Sequence, residues 1–281
     1  MHNCKSPRIA ITALWGLYIL KSKCQRQDIN LPPRLTSLDG NPFPGCTDVR
    51  IKIDSDAFIH LNSALYSFDK KVQSSFFGNK DCSSIVFDGV EHIDRYCFSR
   101  SNVEIVAIPN HICSIKDYAF YGCNNLKEVS LNGIMEISNH IFDSCKALIR
   151  VSIPSSVKII KEGAFADCCS IKHIAFPNSV ETIEDAVFYG CSAISSIELP
   201  DSIHDISHGD SETGVFAFCK NLSVVTLNSF LPSLREFDFK CCENLSRIIV
   251  PKGDKLKYKT RVGKYYSLIV EKNERGDDLP F

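Results

Sequence analysis

Apolar positions in this chain recur as a long block. One block places them at Cys145, Leu148, Val151, Ile153, Val157, Ile160, Ala164 and Phe165; the next places them at Cys168, Ile171, Ile174, Phe176, Val180, Ile183, Ala186 and Phe188. A third continues with Cys191, Ile194, Ile197, Leu199, Ile203 and Ile206. After each cysteine the apolar residues alternate with period two, as at Val129 and Leu131, which predicts a short strand. Pro154, Pro177, Pro200 and Pro251 stand just past these runs, where a missing N–H removes no ladder bond; Asn132 and Asn228 hold that place in other coils. The remaining stretch, such as Ser156 to Phe165, is too short for a long helix and predicts a second short strand and a turn.

The most regular mark is Phe-x-x-Cys, at Phe120/Cys123, Phe142/Cys145, Phe165/Cys168, Phe188/Cys191, Phe216/Cys219 and Phe239/Cys242. The phenylalanine steps are 22, 23, 23, 28 and 23 residues. Self-similarity at this period predicts a repeat solenoid, in which each coil buries its apolar side only against its neighbours. The fold expected is mainly β: a stack of 22–23-residue coils with a parallel sheet, short turns and terminal caps. The phenylalanines and cysteines become continuous internal ladders, a structural role and not a chemical one.

The organisation that follows has residues 1–30 as a signal-like segment or cap, 31–53 as a first repeat, 54–89 as a hairpin-like insert, 90–251 as the array and 252–281 as a C-terminal cap and tail. The insert contains two alternating runs around a polar turn, Ser63 to Val72, which predicts a protruding β-hairpin. Ile9 to Leu20 carries no charge and follows Lys5 and Arg8, like a secretory signal, yet Lys21-Ser22-Lys23-Cys24 lacks the small residues that cleavage prefers. As a helix it would reach about 18 Å, short of the roughly 30 Å hydrocarbon core, so no transmembrane span is expected. Signal and cap stay level as readings.

Composition narrows function only a little. With 32 basic and 33 acidic residues the net charge is -1, which gives no electrostatic reason to expect nucleic acid. Fourteen cysteines suggest a disulfide scaffold, but six stand in the ladder and Cys46 stands in an earlier copy, Phe43 to Cys46. Buried free thiols are the favoured reading. Disulfides within the ladder remain the alternative, since coils about 4.8 Å apart do not forbid them.

Several segments break the pattern. The wide step before Phe216 holds a polar rim loop near 207–214; His204, Asp205, His208, Asp210 and Glu212 there make a cation site the minor reading beside a solvated loop. The run Lys252 to Lys264 has six cations and one acid among Leu256, Tyr258, Val262, Tyr265 and Tyr266. It predicts a capping helix before a final strand at Tyr266 to Val270, with nucleic-acid binding as the lesser alternative. Gly-x-Ser-x-Gly, a glycine-rich phosphate loop, His-Glu-x-x-His and Cys-x-x-Cys are all absent, so no catalytic residue, metal ligand or cofactor is assigned. Binding surface is expected on the outward strand positions: Glu128, Arg150, His173, Ser196, Val224 and Arg247 in one row, with Ser130, Ser152, Ala175, Glu198, Thr226 and Ile249 beside it. Glu128, Ser130, Arg150, Ser152, His173, Glu198, Thr226 and Arg247 are the candidate contact residues.

The pattern Ser155-Ser156-Val157-x-x-Ile160-x-x-Gly163-Ala164-Phe165-x-x-Cys168-x-x-Ile171-x-x-Ile174-x-Phe176-Pro177 resembles the BspA-type leucine-rich repeat of surface proteins from oral and gut bacteria and some parasitic protists. The resemblance covers about Leu31 to Pro251, and Val250 to Tyr258 is similar to the tail that closes such arrays. It implies a curved solenoid used for noncovalent adhesion or protein recognition at the cell surface, without enzymatic chemistry. A purely structural or spacer role is the alternative. A polysaccharide-active enzyme on a parallel β-helix comes third, because the proline-punctuated period disfavours it.

Overall fold

The computed structural model describes residues 27–31, 33–35, 38, 40–41, 49–61, 64–76, 87–208 and 213–272. The segment Ile9 to Leu20, the Phe43 to Cys46 unit, residues 209–212 of the rim loop and the tail from 273 lie outside the described residues.

The first described elements are β1 (Gln27–Leu31) and β2 (Val49–Ile53), a parallel pair. Then come β3 (Phe58–Leu61), β4 (Ala64–Ser67) and β5 (Val72–Phe76), an antiparallel meander. The predicted hairpin therefore has a third strand and does not stand off from the stack. β5 pairs in parallel with β6 (His92–Ile93), so the meander continues a sheet of the solenoid edge to edge.

From there the coils contribute short strands in alternation: β7 (Ile105–Ala107), β8 (Ser114–Ile115), β9 (Glu128–Ser130), β10 (Glu136–Ile137), β11 (Arg150–Ser152), β12 (Ile159–Ile160) and β13 (Thr182–Glu184). They are followed by β14 (Ser196–Leu199), β15 (Asp205–Ser207), β16 (Val224–Leu227), β17 (Arg247–Val250) and β18 (Ile269–Glu271). All pairings from β5–β6 onward are parallel, as successive coils wound in one sense require. The strands that follow each cysteine form two sheets, β7-β9-β11 and β14-β16-β17-β18; the second row of strands includes β10-β12-β13-β15.

The core runs the length of the stack. Phe98, Phe120, Phe142, Phe165, Phe188, Phe216 and Phe239 are all fully buried. Neighbouring rings from Phe98 to Phe239 lie 4.9 to 6.0 Å apart and within 22° of parallel. This stacking follows from the backbone, because each phenylalanine N–H from Phe98 to Phe216 donates to a carbonyl of the next coil, as Phe142 to Ala164 at 3.0 Å and Phe165 to Val187 at 3.0 Å.

The cysteines beside them do more than fill space. Each thiol reaches back one coil to the phenylalanine carbonyl: Cys123 to Phe98, Cys145 to Phe120, Cys168 to Phe142, Cys191 to Phe165, Cys219 to Phe188 and Cys242 to Phe216, all at 3.0 or 3.1 Å. That carbonyl already accepts the N–H of its own coil's cysteine, such as Cys145 N to Phe142 O at 3.0 Å. A thiol therefore supplies the second, inter-coil bond to an oxygen with two lone pairs. Each of the described cysteines is a free thiol.

Both ladders end on one residue. The Tyr265 ring packs edge-on against Phe239 at 5.5 Å, and its hydroxyl donates to the Phe239 carbonyl at 2.7 Å, where a next coil would have placed a thiol. The predicted capping helix is instead a pair of 3-10 turns, Lys255–Tyr258 and Gly263–Leu268, before β18. Buried Tyr258 anchors the first of them, its hydroxyl accepting the Leu231 N–H at 2.8 Å. At the rim loop, Gly214 has φ +89°, and a Cβ there would sit 2.2 Å from the Phe237 carbonyl oxygen, so the next coil leaves room for glycine alone.

Candidate functional site

The outward strand positions form two faces. On the first, Ile105, Glu128 and Arg150 lie in register, with Ala107, Ser130 and Ser152 beside them. On the second, Ser196, Val224 and Arg247 are in register, next to Glu198, Thr226 and Ile249. Glu128, Ser130, Arg150 and Ser152 therefore share one sheet, while Glu198, Thr226 and Arg247 share the other. Arg150 pairs with Glu128 across adjacent coils, and Asn228 donates to Glu198 at 2.9 Å. Ile249 departs from its row: it is 3% exposed, between Thr226 and Val270 in the ladder.

His173 belongs to neither face. A strand is expected at residues 172–176 from the repeat, yet none forms, and the backbone groups of these five residues make no hydrogen bond among the described residues. β11 is consequently an edge strand paired only with β9, and β14 is the edge of the following sheet. Phe176 stands where the pairing stops. Its strand-end slot holds Ile108, Leu131, Ile153, Leu199, Leu227 and Val250 in other coils. The larger Phe176 ring stands edge-on to Phe188 at 5.9 Å and stays partly exposed, as do Ile153, Val151 and Ile174. A hollow of about 710 Å³ opens over β9, β11 and residues 170–175, with Val151 and Ile174 among its apolar walls and Glu128, Arg150, Lys172 and His173 around it.

The rim loop produced a cluster that the pattern of the chain did not announce. His208 lies between two buried carboxylates, 3.7 Å from Asp185 Oδ1 and 3.5 Å from Asp238 Oδ2, with its Nε2 2.9 Å from the Ser233 carbonyl. Asp185 accepts the Gly214 N–H at 2.8 Å, and Asp238 accepts those of Val215 and Arg235 at 3.1 and 2.7 Å. Burial pushes the Asp238 carboxyl up to about 6, against the pull of His208. These groups clasp the long loop to the stack. His204, the other histidine of the loop, is exposed and bonds the Ser202 carbonyl, and no set of three or more metal-ligating side chains converges among the described residues.

The ladder thiols are raised by burial except Cys123, where burial is outweighed by hydrogen bonds with Cys145 and Ser101 that lower it. Burial drives Cys145, Cys168, Cys191 and Cys219 far above the ordinary thiol range and Cys242 up to about 12. Sequence reading also passed over a second, outer stack: Tyr96 on Tyr118 at 4.9 Å and Tyr118 on His140 at 4.8 Å, with the Arg95 guanidinium 5.7 Å from the Tyr118 ring centre. Its signal was available, because these residues stand two places before consecutive ladder phenylalanines. All three have positive φ, so the turn points their rings along the stack. Asp185 and His208 gave no such signal, since the insertion that joins them is unique to one coil.

No helix among the described residues is long and apolar enough to cross a membrane. A search of curated proteins finds no match. Among solved structures, the chain is similar to a leucine-rich repeat protein from Eubacterium ventriosum, with 19% identity and a TM-score of 0.55 over 68% of this chain and 58% of that one. It is also similar to a leucine-rich repeat protein from Bacteroides ovatus, with 22% identity and a TM-score of 0.54 over 80% of this chain and 60% of that one. The chain thus spans less than two thirds of either protein, and the likeness concerns the fold. The family model for the BspA type leucine-rich repeat region matches residues 91–210 and 211–259 in six copies, which is more than half of the chain. With its parallel coils and stacked phenylalanines, this chain belongs to the BspA-type leucine-rich-repeat family.

Proposed function

We propose that this protein binds a protein or cell-surface ligand noncovalently through the outward faces of its two sheets, as a recognition or adhesion module at the cell surface and without catalysis. The observation that carries this reading is the contrast between the two sides of each strand. Inward positions stay apolar from coil to coil, whereas outward ones change from Glu128 to Arg150 on one sheet and from Ser196 to Val224 and Arg247 on the other. Packing does not dictate these residues, so they are free to be shaped by a partner.

The test is to screen the protein against an arrayed panel of extracellular and cell-surface proteins, then repeat the screen with Glu128→Lys, Arg150→Glu and Arg247→Glu combined. Loss of the retained partners with an unchanged circular dichroism spectrum is expected. Retention of every partner by the triple variant, or an empty panel, would overturn the reading in favour of a spacer.

A further inference from the structure

We infer that the interruption between β11 and β14 is a docking site for an extended, acidic peptide segment of a partner protein, which pairs its backbone with the free edge of β11. This deepens the recognition reading above and rests on it. A free strand edge carries a row of unpaired N–H and C=O groups, ready to take another strand, and proteins normally cover or blunt it. β7 and β18 also end these two sheets, at either end of the row, whereas β11 and β14 end theirs in the middle of the array. Among the described residues, this is the one gap inside the row, with β11 unpaired on one side of it, β14 unpaired on the other and residues 172–176 unbonded between them.

The hollow fits such a segment. A strand rises about 3.3 Å per residue, so a three-residue edge such as β11 engages about three to five residues of peptide. Alternate side chains of an added strand would face Val151 and Ile174, and the others would face the rim. The rim selects charge. Glu128 is already neutralised by Arg150, whereas Lys172 has no ion-pair partner among the described residues, and His173 stands exposed beside it. Carboxylates on the incoming strand would meet an uncompensated cation. Phe176 keeps the site open by holding the coils apart where smaller residues let them pair.

The probe is a fluorescein-labelled heptapeptide of alternating valine and glutamate with blocked ends, titrated with the full chain and followed by anisotropy. Saturable binding is expected. The same peptide N-methylated at alternate residues, and a valine–lysine version, should each bind at least tenfold more weakly. Lys172→Glu lies on the surface and should weaken binding about tenfold without affecting the circular dichroism spectrum. Phe176→Leu should close the gap: binding falls tenfold or more, and the Ile174 amide gains protection from hydrogen exchange.

The inference is overturned if the acidic peptide does not bind, or if the N-methylated peptide binds as well, since backbone pairing is then not the contact. It is equally overturned if Lys172→Glu and Phe176→Leu leave binding unchanged, or if sedimentation shows a dimer that Ala175→Trp abolishes, which would make a second copy the occupant. If the peptide fails while the triple charge variant still loses its panel partners, this inference falls and the broader reading stands; failure of both removes the broader reading as well.

Discussion

The thiol ladder makes a prediction that separates shape from hydrogen bonding. Cys168 is fully buried in mid-stack, and its sulfur bonds the Phe142 carbonyl at 3.1 Å. Replacing it with alanine deletes one large apolar atom, which costs about 1 kcal/mol in burial, and the small cavity left behind adds to this. Loss of the thiol bond adds about 0.5–1 kcal/mol, near the low end for hydrogen bonds, because a thiol is a weak donor and the oxygen keeps the Cys145 N–H at 3.0 Å. The expected loss for Cys168→Ala is therefore about 2 kcal/mol. Serine keeps a donor, and Ser101 already occupies the equivalent slot one coil before Cys123, with its Oγ 3.4 Å from that sulfur. Cys168→Ser should consequently cost about 1 kcal/mol less than alanine. Cys168→Val restores volume without a donor and should stay close to alanine. Urea unfolding followed by circular dichroism measures the three at constant slope, and the same order should recur at Cys145 and Cys191 if the slot itself is responsible. Valine near wild type with serine the worst of the three would refute the bonding role and leave only a packing role.

Other consequences are as direct. Tyr265→Phe keeps the ring on Phe239 but removes the donor that closes the ladder, so it should cost about 1 kcal/mol, while Tyr265→Ala should cost about 3–4 kcal/mol by baring the last coil, both read from urea midpoints. Brief iodoacetamide treatment of the native protein at pH 8 should label exposed Cys113 and Cys241 and spare Cys145, Cys168, Cys191 and Cys219 until urea is added. Mass spectrometry of the ladder peptides checks this, and equal labelling would contradict the burial. Asp238 has a folded-state value near 6, above its ordinary 3.8, so its contribution to stability is complete below about pH 3.8 and is lost as pH rises through 6. Ionisation should cost on the order of 3 kcal/mol, and Asp238→Asn should flatten the fall in stability between pH 4 and 7; a variant with the wild-type slope would assign that fall to other groups.

The repeat made the architecture legible because a solenoid coil has no core of its own. Every inward position must match the coil above and below, so phenylalanine, cysteine and the strand-end residue recur at one spacing, and the period alone specifies stacked parallel coils. The role of the cysteine was only half legible. Burial was evident from the slot, but the carbonyl that each thiol bonds lies 25 to 31 residues earlier, and which oxygen faces it is a matter of how the turns stack. Of the row from Glu128 to Arg247, the repeat spacing carried the register within each sheet, but neither the gap at His173 nor the burial of the neighbouring Ile249, and that gap coincides with a single larger side chain, Phe176, in the strand-end slot. Likewise the charged residues of the rim loop suggested a solvated loop, and folding placed His208 between Asp185 and Asp238, which stand 23 residues before it and 30 after it in the chain. Period and slot chemistry are local properties that recur in every coil, so the sequence by itself determined the solenoid and its inward side. Whether two neighbouring coils pair, part or clasp depends on side-chain volume and charge meeting across coils, and only the tertiary structure decided that.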